Sequence, residues 1–140
     1  MKHGLSFLTL LLTLAACSEP APVTFSAPFG DGMVLQRGRE IPLRGTTEPG
    51  AAVKVRWQGR TFKATADTAG RWSVTLPASE AGGPYTLEAN KSIVNDILVG
   101  DVYLCSGQSN MELPVRRCLD VVAGDIKGYA NDQVRYMKIP

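Results

Sequence analysis

From Val23 to about Asn90, apolar and polar residues alternate with a period of two. Ile41 and Leu43 alternate with Pro42 and Arg44, and Val53, Val55 and Trp57 with Lys54, Arg56 and Gln58. Phe62, Ala64 and Ala66 keep the period, as do Trp72, Val74 and Leu76, and then Tyr85, Leu87 and Ala89. Successive side chains of a strand point to opposite faces, so this pattern predicts half-buried antiparallel strands. Turn signals separate the runs: Glu48-Pro49-Gly50, Gln58-Gly59, Asp67-Thr68-Ala69-Gly70 and Ala81-Gly82-Gly83-Pro84. Glycine tolerates positive φ, so Gln58-Gly59-Arg60 suits a tight hairpin. Short strands with regular turns predict a small β-sandwich over residues 23–92. Trp57 and Trp72 share the phase of their apolar neighbours, which places them in the core. The alternative for them is a sugar-stacking surface.

Beyond Asn90 the texture changes. Ile93 to Val99 and Val102-Tyr103-Leu104 are more continuously apolar, as in strands of a sheet covered on both sides. Leu119, Val122 and Ile126 fall on one face of a helix between Val115 and Tyr129, though Gly124 and Gly128 weaken it. Gln133 to Ile139 alternates again and predicts a strand. Strand, turn, helix, strand is the opening of an α/β sheet with a right-handed crossover, so the expected fold is mixed, with an α/β unit over residues 93–140. Two strands and one helix leave sheet faces and edges unburied. The α/β unit is therefore expected to be incomplete, the chain being a truncated product or a fragment of a longer reading frame.

The N-terminus carries processing signals. Lys2 precedes an apolar run, Leu5 to Leu14, broken only by Ser6, Thr9 and Thr13. It is shorter than the roughly 20 residues a membrane span needs, and has the length of a signal-peptide core. Leu14-Ala15-Ala16-Cys17 resembles a bacterial lipobox, which implies removal of residues 1–16 and a lipid on Cys17. The alternative is ordinary cleavage after Ala16 with Cys17 unmodified. Ser18, where an aspartate would signal inner-membrane retention, points by the same resemblance to the outer membrane. Residues 17–22, rich in Pro and Ala, read as a short tether.

The chain has 15 basic and 13 acidic residues, and loss of residues 1–16 leaves 14 against 13. A near-neutral chain without a basic run lacks the electrostatic footprint of a nucleic-acid binder. Cys105 and Cys118 remain beside Cys17; export permits a disulfide between them, and two free thiols are the alternative. Metal binding is disfavoured, because there is no C-x-x-C pair and the single histidine, His3, lies in the leader.

The segment Ser106-Gly107-Gln108-Ser109-Asn110-Met111-Glu112 follows the apolar run that ends at Cys105. Hydrolases place a nucleophilic serine in such a turn, where the hydroxyl is exposed and backbone N–H groups converge. Gly107 permits the turn. The second glycine of the G-x-S-x-G elbow is absent, which disfavours the usual α/β-hydrolase. Taken alone, Ser109 could equally cap a helix.

The run Gly100-Asp101-Val102-Tyr103-Leu104-Cys105-Ser106-Gly107-Gln108-Ser109-Asn110-Met111-Glu112 resembles the signature of sialate O-acetylesterases, serine esterases of the SGNH-hydrolase superfamily. Phe29 to Arg37, Gly45, Pro49-Gly50, Asp67 with Gly70-Arg71-Trp72, and Val134 to Pro140 are also similar to that family. The resemblance implies an SGNH-type hydrolase domain, Ser109 as nucleophile with its own N–H in the oxyanion hole, and Gly107, Gln108 and Asn110 as the turn around it. It implies an O-acetylated carbohydrate as substrate and no cofactor. The family's histidine base and its remaining oxyanion donors come from later blocks that these 140 residues do not contain, so this chain alone is expected to be inactive. Two further readings stand beside it. One is a non-catalytic outer-membrane lipoprotein whose sandwich binds glycans or a partner. The other is a structural domain with a helix-capping Ser109.

Overall fold

The computed structural model describes residues 19–111, 113–114, 117 and 130–139. The alternating runs form strands in order: β1 (Thr24–Phe25), β2 (Val34–Gln36), β3 (Ile41–Thr46), β4 (Ala52–Trp57), β5 (Arg60–Thr65), β6 (Arg71–Leu76), β7 (Gly82–Ala89) and β8 (Ser92–Gly100). They make two sheets, one in the order β1-β3-β6 and a larger one in the order β2-β8-β7-β4-β5. Every pairing is antiparallel except β2 with β8. Leu43, Trp72, Val74 and Leu76 from the smaller sheet and Val53, Val55, Trp57, Leu87, Ala89, Val94, Ile97 and Val99 from the larger share one core. The two-sheet expectation holds, and in β3, β4, β6 and β7 the buried apolar side chains are among those that the alternation singled out.

Trp57 and Trp72 are 2% and 3% exposed, which removes the sugar-stacking alternative for both. Trp57 packs edge-on against Tyr85, and Trp72 against Phe25. The indole N–H of Trp72 is buried without a hydrogen-bond partner. Close packing around that ring demands Gly45: a Cβ there would lie 2.6 Å from the indole and 2.1 Å from the Thr24 carbonyl oxygen.

Three parts of the sequence reading need correction. Ile93 to Val99 does not open a second sheet. It lies within β8, paired to β7 on one side and β2 on the other, so the expected division after residue 92 falls inside this strand. The misreading has a local cause. Between the pairs Leu87↔Val94 and Tyr85↔Ile97, β8 holds one residue more than β7, a bulge at Asn95-Asp96. Asp96 takes φ +56°, a conformation that aspartate tolerates better than most residues. The bulge breaks the period of two, so Val94, Ile97 and Val99 all point inward while Ile93 is exposed. Second, Val102-Tyr103-Leu104 is not a strand: it has no regular structure and is exposed, Leu104 to 86%. Third, residues 133–139 form no strand and are also largely exposed. Among the described residues neither segment has a neighbouring strand to pair with, and alternation alone cannot make a sheet. The expected β-α-β arrangement is therefore not formed by the described residues; the helix expected between Val115 and Tyr129 lies outside them, apart from Arg117.

The Asp67-to-Gly70 turn shows why its residues are what they are. The Asp67 carboxylate accepts the backbone N–H groups of Ala69 and Arg71, each at 2.9 Å, and Arg71 Nε at 2.9 Å. Gly70 takes φ +76°, and a Cβ there would lie 2.3 Å from the Thr47 carbonyl oxygen.

Two predictions follow from packing and charge. Gly45→Ala should cost at least about 1–3 kcal/mol, since a buried ring and a paired backbone must both shift; urea unfolding measures it. The Arg71 backbone N–H, aided by its guanidinium and by Ala69 N–H, lowers the pKa of Asp67 below the ordinary 3.8. A lowered native pKa gives stability that is complete above the unfolded value and lost as pH falls through the native one. Urea midpoints taken from pH 6 downward should therefore fall less steeply in the acid range for Asp67→Asn than for the native chain.

Candidate active-site segment

β8 delivers the serine segment, and the end of β2 receives it. Parallel pairing sets Gln36 beside Gly100. Arg37 N–H then donates to the Gly100 carbonyl at 2.8 Å. Arg37 Nε donates to Asp101 Oδ1 at 2.9 Å. Val102 N–H donates to Gln36 Oε1 at 2.9 Å. Three successive residues are thus gripped by two adjacent ones. The ion pair is about half exposed, 51% and 45%, so it contributes about 0–1 kcal/mol to folding. Its geometric effect is larger, because it fixes the direction in which the chain leaves the sandwich.

Further along, Ser109–Met111 forms a single 3-10 turn. Met111 N–H donates to the Gln108 carbonyl at 2.9 Å, and Leu113 N–H to the Asn110 carbonyl at 3.3 Å. Gly107 lies under this turn; a Cβ at that position would come within 3.0 Å of Met111 Cγ. Gly107, Gln108, Ser109 and Asn110 are all exposed. Among the described residues the Ser109 hydroxyl caps no backbone N–H, so the helix-capping reading has no hydrogen bond to support it. No histidine stands near Ser109 among the described residues, the single one being His3, which lies outside them. No group of three or more His, Cys, Asp or Glu side chains is placed to hold a metal among them either. Cys105 is an exposed free thiol; Cys17 and Cys118, and with them the lipidation and disulfide expectations, lie outside the described residues.

A second grip holds the C-terminal segment to the bulge. Arg135 Nη2 donates to Asp96 Oδ1 at 2.8 Å, and Nη1 donates to the Asp96 carbonyl. The Arg135 side chain is 21% exposed, far less than its neighbours. On the other flank of the bulge, Asn95 N–H donates to Asp31 Oδ1 at 2.7 Å and Gly32 N–H to the Asn95 carbonyl at 3.1 Å.

Known proteins resemble this chain over most of its length. No family model matches the chain. It is 34% identical over 135 residues to sialate O-acetylesterase of Pongo abelii, with 82% of this chain aligned. The proteins of that name from Mus musculus and Homo sapiens are each 33% identical, again over 82% of the chain. A solved carbohydrate acetylesterase from Xanthomonas citri superposes with a TM-score of 0.64 at 42% identity, covering 67% of this chain and 22% of that one. Over this region, the chain belongs to the sialate O-acetylesterase family. It spans about a quarter of the length of the curated sialate O-acetylesterases it matches.

Gln36, Arg37, Asp101, Asp96 and Arg135 carry the grips, and none was singled out by spacing. Their only signal in the sequence was that Gln36, Arg37, Asp101 and Arg135 fall within runs similar to the sialate O-acetylesterases. Gln36→Ala should leave the sandwich folded and speed amide exchange at Val102 about 2- to 10-fold, the worth of one hydrogen bond. Hydrogen exchange resolved to residues 100–107 checks it; unchanged protection there would show that Gln36 does not hold the segment.

Proposed function

We propose that Ser109 is the nucleophile of a carbohydrate O-acetylesterase, and that residues 101–140, which follow β8, contribute the first part of its SGNH-type hydrolase domain. The observation that carries this reading is the exposed Ser109 hydroxyl in a glycine-supported turn, at the end of a segment aligned by Gln36 and Arg37. A hydroxyl must be uncapped and accessible to attack an ester; Ser109 is exposed, and among the described residues its hydroxyl caps no backbone N–H. Ser109 Oγ attacks the acetyl carbonyl carbon while its proton passes to a general base. The carbonyl oxygen gains negative charge, which backbone N–H groups in the turn, that of Ser109 among them, can stabilise. Collapse expels the sugar oxygen, which takes up the proton from the base to become a hydroxyl, and leaves an acetyl group on Ser109. Water then releases acetate by the reverse sequence. The substrate class is an O-acetylated sugar, either a sialic acid or a polysaccharide acetyl ester. No cofactor enters this chemistry.

Residues 1–140 supply the nucleophile and its alignment. They hold no histidine besides His3, so by themselves they should turn over negligibly. Lack of a general base costs about 10²- to 10⁴-fold. Each missing oxyanion donor costs about 10²- to 10³-fold. We also propose that Cys17 carries a lipid and anchors the protein in the outer membrane, the reading that the Leu14-Ala15-Ala16-Cys17 run supports.

The test begins with the mass of the species found in the native membrane, detected through the sandwich. Acetate release from an O-acetylated sugar is then measured on that species. Release should fall at least about 10³-fold in Ser109→Ala, the scale of losing a nucleophile held in an otherwise intact site. Release that persists unchanged in Ser109→Ala would remove Ser109 from the mechanism.

A further inference from the structure

Residues 17–22 read as a short tether in the sequence, yet Ala21 to Val23 are fastened down and Glu19 is ion-paired. Lys91 Nζ reaches Glu19 Oε2 at 2.6 Å. Asn90 Nδ2 donates to the Ala21 carbonyl at 2.8 Å. Thr47 Oγ1 donates to the Pro22 carbonyl at 2.7 Å, and Ser92 Oγ to the Val23 carbonyl at 2.6 Å. Asn90 is itself locked in place at φ +51°. Its Nδ2 also donates to the Ala52 carbonyl at 3.1 Å, and its Oδ1 accepts Lys54 N–H at 2.9 Å.

These contacts gather at one end of the sandwich. The loops there are bonded to one another: Thr47 N–H to the Gly70 carbonyl at 2.8 Å, Ala66 N–H to the Ala51 carbonyl at 3.0 Å. The opposite end is tied together separately, by Gly38 N–H to the Ser79 carbonyl at 3.0 Å and Ser79 Oγ to Gln58 Oε1 at 3.2 Å. Gly100 leaves from that opposite end, beside Arg37. β8 runs from Ser92 at the strap to Gly100 at the exit, and a strand of that length spans roughly 25 Å.

We propose that this strap fixes the orientation of the protein on its membrane. The end bearing Thr47 to Gly50, Asp67 to Gly70 and Asn90-Lys91 lies against the lipid headgroups, and Gly100 to Val102, which lead to the serine segment, are held at the far end. The inference rests on the reading that Cys17 carries the lipid. Glu19 is tied only by its exposed ion pair with Lys91, so the first firm fastening is at Ala21, and between Cys17 and Ala21 the chain can reach only roughly 14 Å. A free tether of residues 17–22 would reach roughly 20 Å and let either end approach the bilayer. Charge does not set the orientation. Among the described residues Lys91 is paired with Glu19 and Arg71 with Asp67, and the neighbouring Lys54 and Lys63 are two charges, short of the cluster of four or more that draws a protein to an anionic surface. The chain therefore sets out toward Ser109 from the end of the sandwich turned away from the anchoring bilayer.

The test uses the native lipid-bearing protein in zwitterionic vesicles whose headgroups carry a nitroxide quencher. Cys105 and Cys118 are replaced by serine, and one fluorophore is placed at Glu48→Cys or at Arg39→Cys. Glu48 lies at the strap end and Arg39 at the exit end, and both are exposed. The headgroup quencher should extinguish the label at position 48 and leave the label at position 39 bright, at low and high salt alike. Inserting about ten Gly and Ser residues between Ser18 and Glu19 should abolish that difference, because a flexible linker of this length restores free rotation. Equal quenching at both positions, or a difference that survives the insertion, overturns the proposal. The acyl mass on the Cys17 peptide separates the two ideas. An acylated protein with equal quenching sinks the orientation alone, and an unacylated Cys17 sinks the anchor and the orientation with it.

Discussion

The structure depends on β8 being paired along both sides while it carries an extra residue. β7 holds it antiparallel and β2 holds it parallel, and the bulge at Asn95-Asp96 lets three apolar side chains reach the core despite the broken period. A bulge leaves its own backbone groups unmatched in the ladder. Here they are taken up from two directions, by Asp31 and Gly32 on one flank and by Arg135 on the other. The run from Phe29 to Arg37 is thus explained along its length. Its start grips the bulge, Met33 and Leu35 fill the core, and its end grips Gly100 to Val102. A single strand runs from the strap, where Ser92 holds the Val23 carbonyl, to the exit at Gly100, which Arg37 holds.

The strands with strict alternation were legible because a half-buried antiparallel strand writes its two faces directly into the sequence. Val53, Val55 and Trp57, with exposed Lys54 and Arg56 between them, show this most plainly. β8 was misassigned because one inserted residue shifts the phase, and a phase shift without a turn signal looks like continuous apolarity. Tyr103, Leu104 and Tyr136 failed differently. Their pattern reports what a segment can pair with, and whether a partner strand lies alongside is a property of the rest of the fold.

The serine turn itself was legible from Gly107, because a tight turn has narrow conformational requirements. What aligns it was not. Gln36 and Arg37 are ordinary exposed polar residues in sequence, and their roles depend on a parallel strand pairing that brings them beside residues more than sixty positions away. The same holds for Asn90. A lone asparagine in a turn predicts a left-handed backbone and nothing about the Ala21 carbonyl.

Asn90 also gives the protein a chemical clock. Its amide nitrogen donates to two carbonyl oxygens, Ala21 and Ala52, and no other group in the strap contributes as many bonds. Hydrolysis of that amide to a carboxylate would set a negatively charged acceptor against two acceptors, turning both attractions into repulsion. The sandwich core would be untouched, since Asn90 lies outside it. An aged molecule would therefore remain folded and would lose first the fastening of its N-terminal segment.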